Sequence, residues 1–133
     1  MSRKERGPEK IAEALRGLCV PIESVKLDPR NARKHPRRSI EAIKYSLQTF
    51  GQQKPIVIDP KTREVTAGNG TLIAAKELGW KKIAASVFDG SPEDVRRYAV
   101  SDNATSDLSV FDFDMLKPEL GAFDMKALEQ LGL

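Results

Sequence analysis

The chain has a single cysteine and a single histidine, and no uninterrupted apolar stretch comes near the ~20 residues a membrane span needs. With one thiol, Cys19, no internal disulfide can form, and a cytosolic location suits that. Cys19 lies between Leu18 and Val20 and reads as a packed thiol. His35 is far from Cys19 in sequence, so the two make no zinc pattern. The opening "MSRKERGPEK" is charged and has no apolar signal core behind it. Neither internal repeats nor a low-complexity linker are present. These absences set aside a disulfide scaffold, a zinc module, a membrane partner and a repeat array.

What is present suits one soluble globular domain. The 133 residues provide enough interior for a single core. Apolar residues at 40% and charged residues at 31% are ordinary for that class. A net charge of +3 is a mild basic excess, which permits a phosphate-bearing partner without demanding one.

The periodicities alternate in kind along the chain. Pro8 suits a first helical turn, and Ile11, Leu15 and Leu18 follow at i, i+4 and i+7, which predicts a helix to about residue 18. "VPIESVKL" reads as a short strand with a slip in phase. "DPRNARKHPRR" is a polar loop with five cationic side chains: Arg30, Arg33, Lys34, Arg37 and Arg38. "SIEAIKYSLQTFG" places Ile40, Ile43, Leu47 and Phe50 on one helical face, with Ser39 as cap and Gly51 as stop. "KPIVIDP" and "KTREVTAG" predict a hairpin, and a helix from about Thr71 to Leu78 ends at Gly79. "KKIAASVFD" is a further strand. "SPEDVRRYAVSDNAT" opens with a cap at Ser91, Pro92 in the first turn and Asp94 closing a capping box; its helix is expected to end at Asp102-Asn103. Two short helical patterns follow, the second with Met125, Leu128 and Leu131 on one side. The sum is an α+β fold with a small mixed sheet flanked by helices.

The stretch "TAGNGTLIAAKELG" carries the chemistry. A helix start leaves backbone N–H groups without internal partners, at the positive end of the helix dipole. Glycines ahead of it allow an anion to approach, most often a phosphate. Gly68, Asn69, Gly70 and Thr71 meet that need, with a hydroxyl from Thr71 and an amide from Asn69. A plain strand-to-helix turn with nothing bound remains an alternative. There is no Walker lysine, and Ile73 breaks the dinucleotide fingerprint.

Taken together, residues of about 20–112 resemble the ParB/sulfiredoxin superfamily, in the version found in plasmid-partition proteins and in ParB-like domains of phages and DNA methylase genes. Four blocks carry the resemblance in order: "VKLDPRNARKHPRRSIEAIKYSLQTFG", "QKPIVID", "VTAGNGTLIAAKELG" and "YAVSDNATSDL". The resemblance implies a compact α+β domain whose glycine box binds nucleotide phosphate: CTP in partition proteins, ATP in sulfiredoxins, with Mg²⁺ as companion. Some relatives are described as nucleases. Carried over by residue, Gly68 matches the leading glycine of the box, Asn31 and Arg33 the N-x-R pair, and Asn103 the asparagine of the late motif. Asn69 stands where partition proteins have glutamate and some phage-type relatives have histidine. Thr71 replaces the phosphate-binding arginine of the box, and Ala104-Thr105 replaces Gln-Arg after Asn103. Lys34 and Lys54 are candidate substitutes for the missing cations, beside Arg33. The box holds no cysteine, so sulfiredoxin chemistry is not expected.

On this reading residues 1–19 are a tail and helix, 20–112 the ParB/sulfiredoxin-like domain and 113–133 a helical extension packed on it. The residues after 112 leave no room for the helix-turn-helix and dimerisation domains of a full partition ParB. Three functions stay open. The first is a free-standing domain that binds nucleotide or DNA phosphate. The second is a metal-dependent nuclease with ligands among Glu64, Asp89, Asp102 and Asp107. The third is a non-binding interaction module, a homodimer or the partner of a DNA-processing protein, with Phe111, Phe113, Met115 and Leu116 either closing the domain's own core or building a dimer face.

Overall fold

The computed structural model describes residues 9–30 and 35–108, with side chains as far as residue 102. The expectations for residues 1–8, the 31–34 loop and the C-terminal extension lie outside the described residues. In chain order the elements are β1 (Cys19–Pro21), α1 (Arg37–Phe50), β2 (Ile56–Ile58), β3 (Val65–Ala67), α2 (Asn69–Glu77), β4 (Lys82–Val87) and α3 (Pro92–Leu108). The strands form one mixed sheet in the order β1-β4-β2-β3. β4 runs antiparallel to β1 and parallel to β2, while β2 and β3 form the expected antiparallel hairpin. This is the expected α+β architecture.

The central strand β4 explains the core. Ile83 and Ala84 point to opposite faces, yet both are fully buried, so the sheet is covered on both sides there. Ile56, Ile58, Val65, Leu72, Ala75 and Trp80 pack with Ile83 into one cluster, which α1 joins through Ile40 and Leu47.

Four local expectations need correction. The first concerns residues 8–18. Residues 9–12 are not helical; Ile11 forms a parallel bridge with Gln52, and only Glu13–Leu18 coils, as 3-10 turns. Pairing with a sheet already in place outcompeted the local stripe, and Leu18 is left 39% exposed. The phase slip in "VPIESVKL" is a 3-10 turn at Ile22–Ser24, closed by the Ser24 hydroxyl donating to the Pro21 carbonyl at 2.6 Å. Second, α1 starts at Arg37 with Pro36 as its cap residue, not at Ser39. The Pro36 carbonyl accepts from the Ser39 amide at 2.9 Å, which places Ser39 inside the first turn. Third, α2 starts at Asn69, two residues before Thr71. Fourth, α3 runs through Asp102 and Asn103 to Leu108 instead of ending there. Its start is as expected, with Ser91 Oγ accepting from the Asp94 amide at 3.1 Å.

Gln52, 1% exposed, ties these parts together. Its Oε1 accepts from the Ala84 amide at 2.9 Å, and its Nε2 donates to the carbonyls of Ala84 at 2.9 Å and Lys54 at 3.0 Å. The side-chain amide thus stands in for strand backbone beside β4 before β2 has begun. Its main chain meanwhile pairs with Lys10 and Ala12.

On the opposite edge of the fold, Arg37 of α1 donates to Glu77 of α2 and to Glu41 of its own helix. Lys44 joins Glu77 at 3.5 Å. The hydrogen bonds from Arg37 hold both carboxyls below the usual carboxylate range.

Two outcomes are expected. Gln52→Leu leaves buried Ala84 amide and carbonyl groups unpaired, and urea unfolding is expected to show a loss of roughly 2–4 kcal/mol. The Arg37 network adds stability above the unfolded-state carboxyl value of roughly 4.3 and loses it as pH falls through the lower folded values. Denaturant midpoints of Arg37→Gln should therefore lie below those of the parent at pH 6. The gap should close as pH drops below about 4 and narrow in high salt.

Candidate phosphate site at the start of the second helix

β3 ends at Ala67, and the chain turns into α2 through Gly68, which is left-handed at φ 101°. A Cβ at Gly68 would lie 2.6 Å from Ile56 Cγ2 on the neighbouring strand. One at Gly70 would meet Ile43 Cδ1 at 3.0 Å and His35 Nδ1 at 3.1 Å. Gly68 is required by the protein's own packing, since it lets the turn press on β2, and at Gly70 α2 comes close to Ile43 of α1. These packing roles stand beside the expectation that the glycines admit an anion.

The expectation for Asn69 needs correction. It is 7% exposed and turned inward. Its Oδ1 accepts from the Asp28 amide at 3.0 Å, and its Nδ2 donates to the Val65 carbonyl at 3.2 Å. The side chain is a clamp within the fold and not an arm toward a ligand. Thr71 is half-buried in the first turn. The first intrahelical bond runs from the Leu72 amide to the Gly68 carbonyl at 3.0 Å, and no side chain caps the helix. The amides of residues 69–71 are those a helix cannot satisfy internally, at the positive end of its dipole.

The other sequence candidates divide. Asn31, Arg33 and Lys34 lie outside the described residues. Asn103 is on α3, but its side chain lies outside them too. Lys54 is exposed on the connection from α1 to β2. Glu64 sits in a bridge with Lys26 at the edge of β3, and Asp102 is half-buried on α3. Asp89 is exposed and paired with Lys61 at 3.3 Å. The side chain of Asp107 is outside the described residues. Among the described residues no group of three His, Cys, Asp or Glu side chains is placed to hold a metal ion.

Sequence reading missed a small polar cleft, partly open to solvent. Asp28, Arg30, Asp59, Glu64, Thr66 and Arg96 are among its lining residues. Asp28 is its anchor, with Oδ2 accepting from Arg96 Nη1 at 2.8 Å and Oδ1 from the Arg30 amide at 2.8 Å. Asp59 caps the hairpin turn, its Oδ1 accepting from the Lys61 amide at 2.9 Å. The partners are 68 residues apart for Asp28 and Arg96, so no local pattern announces them.

With this geometry in place, comparison with known proteins is informative. The chain is 26% identical over 87 residues to the ParB-like nuclease domain-containing protein YnaK of Escherichia coli (strain K12), across 65% of this chain and 99% of that protein. It superposes with TM-score 0.69 on the C-terminally truncated chromosome-partitioning protein ParB from Caulobacter crescentus complexed with CTP-γ-S. The fold is ParB-like. That superposition covers 85% of this chain and 68% of the partition protein at 18% identity. The same Caulobacter protein complexed to the centromeric parS site matches with TM-score 0.55 and 21% identity, over 86% of this chain. Here the ParB-like chain spans 64% of its neighbour's length. No family model matches. Among the described residues no helix is long and apolar enough to cross a membrane.

Gly68→Ala combines a left-handed backbone with overlap on Ile56, and is expected to cost roughly 1–3 kcal/mol in denaturant unfolding. Gly79 is also left-handed at φ 78°, but nothing lies within 4 Å of a Cβ there. Gly79→Ala should therefore cost less than Gly68→Ala, about 1 kcal/mol. Equal losses at the two sites would contradict the close-packing account of Gly68.

Proposed function

We propose that this domain binds the phosphates of a nucleotide, with CTP the first candidate, at the start of α2. The observation that carries the reading is the helix start itself. It has no side-chain cap, it follows a left-handed glycine, and it belongs to a fold that matches a ParB complexed with CTP-γ-S. The amides of residues 69–71 donate to the phosphate oxygens, and the helix dipole favours their charge. Thr71 replaces the arginine of the box, so the chain's other cations carry the counter-charge. Arg33, Lys34 and Lys54 are the candidates. A charge-assisted hydrogen bond is worth ~1.5–3 kcal/mol, so a site without the box arginine is expected to be weaker by one to two orders of magnitude than one that has it.

In this reading Mg²⁺ accompanies the triphosphate. The reading places the domain in a DNA-related role, free in solution or beside a DNA-processing partner. The similarity to the ParB-like nuclease domain-containing protein YnaK favours nuclease activity as a second reading. In that case Glu64, Asp89, Asp102 and Asp107 are the ligands to test, since hydrolysis at phosphate requires hard oxygen ligands around the metal.

Isothermal titration with CTP, ATP and GTP at millimolar concentration, with and without Mg²⁺, tests the first reading. Heat with CTP that is lost in Arg33→Ala supports it, and silence with all three nucleotides rejects it. For the second, supercoiled plasmid incubated with Mg²⁺ or Mn²⁺ is scored for nicking. Nicking that persists when all four carboxylates are replaced by alanine rejects the ligand assignment.

A further inference from the structure

Resting on the phosphate-site reading, we propose that Arg96 is a positioning residue. Acting through Asp28, it fixes the first residue of α2 to the segment that leads into the 31–34 loop. Asp28 joins three parts of the chain that are far apart in sequence. Its amide donates to Asn69 Oδ1 at 3.0 Å, at the first residue of α2. Its Oδ2 accepts from Arg96 Nη1 at 2.8 Å, on α3. Its Oδ1 accepts from the Arg30 amide at 2.8 Å, which turns the chain toward Asn31. The proposed phosphate contacts lie on the same three parts: the loop after residue 30, the start of α2, and α3 at Asn103.

The charge balance makes Arg96 the controlling member. The Asp28 side chain is 7% exposed, so its carboxylate has given up most of its hydration. Arg96 is 27% exposed and in direct contact, whereas Arg30 Nε is 3.9 Å away on a side chain 67% exposed. A carboxylate out of water needs a close counter-charge with good hydrogen bonds, and removing one partner leaves the other uncompensated. Asp28 lines a small cleft that is open on one side, so without Arg96 the carboxylate is expected to turn toward solvent there. The Asp28 backbone moves with it, breaks the bond to Asn69 and releases the helix start. Arg96 needs no contact with the ligand for this.

The test uses Arg96→Gln, Asp28→Asn, the double variant and Arg96→Lys in the full chain. Amide hydrogen exchange is measured first without ligand. In Arg96→Gln the Asp28 amide is expected to exchange at least tenfold faster, while Ile83 and Ala85 on β4 keep the parent rate. Arg96→Lys should recover part of the protection. In the Asp28→Asn background the Arg96 change should add less than twofold, since a neutral amide does not require the cation. CTP titration then reads the consequence for the site: at least tenfold weaker binding in Arg96→Gln, and near-parent binding in the double variant relative to Asp28→Asn. Unchanged exchange at Asp28, or an equal rise at Ile83 and Ala85, overturns the proposal. So does CTP affinity that stays at the parent level when Asp28 is released. If the parent itself does not bind CTP, the phosphate reading falls, and the exchange data still decide whether Arg96 holds this segment.

Discussion

The side-chain amide of Gln52 is the contact on which the rest of the fold leans. It pairs with both backbone groups of Ala84, in the centre of the sheet, and does so before its own strand has started. Through its main chain it also takes in residues 10–12, which would otherwise have no place in the sheet. The connection after α1 is thereby locked to β4 and the amino-terminal segment at once. That lock sets where β2 begins, and β2 in turn offers Ile56 as the surface against which Gly68 turns. A buried amide can do this because every one of its polar groups used here finds a backbone partner, which offsets the cost of burying it.

The start of α2 shows how one short sequence serves two demands. Gly68 and Gly70 satisfy the internal demand, close approach to Ile56 and to Ile43 and His35. Asn69 is consumed by the same demand, held between Asp28 and Val65. What is left for a ligand is the set of main-chain amides that no helix can pair at its own beginning. The proposed phosphate site depends on backbone and on charges brought by neighbouring segments. The Asp28 carboxylate, with Arg96 on one oxygen and the Arg30 amide on the other, ties the start of α2 to α3 and to the 28–30 turn.

Much of the architecture was legible from the chain. The hairpin of β2 and β3, the strand β4, the stop at Gly51 and the cap at Ser91 follow from β-branched runs, helix stops and a capping box, all of which act over a few residues. The misreadings have a common physical source. At residues 9–12 the helical stripe lost to pairing with Gln52, a partner about forty positions away. At Asp102-Asn103 a polar pair suggested an end, but Val95 and Ala99 were already buried and α3 simply continued. At Ser39 a good cap residue was passed over, because Pro36 fixes an extended backbone one turn earlier and its carbonyl receives the first amides.

By itself the sequence determined the hairpin, the strand β4, the α+β class and the place where a helix would begin behind glycine. Those features depend on backbone preferences and on periodicities of two and 3.6 residues, which a chain carries locally. Tertiary structure alone decided which way each polar group at that place would face. Asn69 turned inward, and Asp28 met Arg96 across most of the domain's length. Hydrogen-bond partners for buried charges are chosen only when distant segments are brought within 3 Å of one another, and no pattern along the chain encodes that choice.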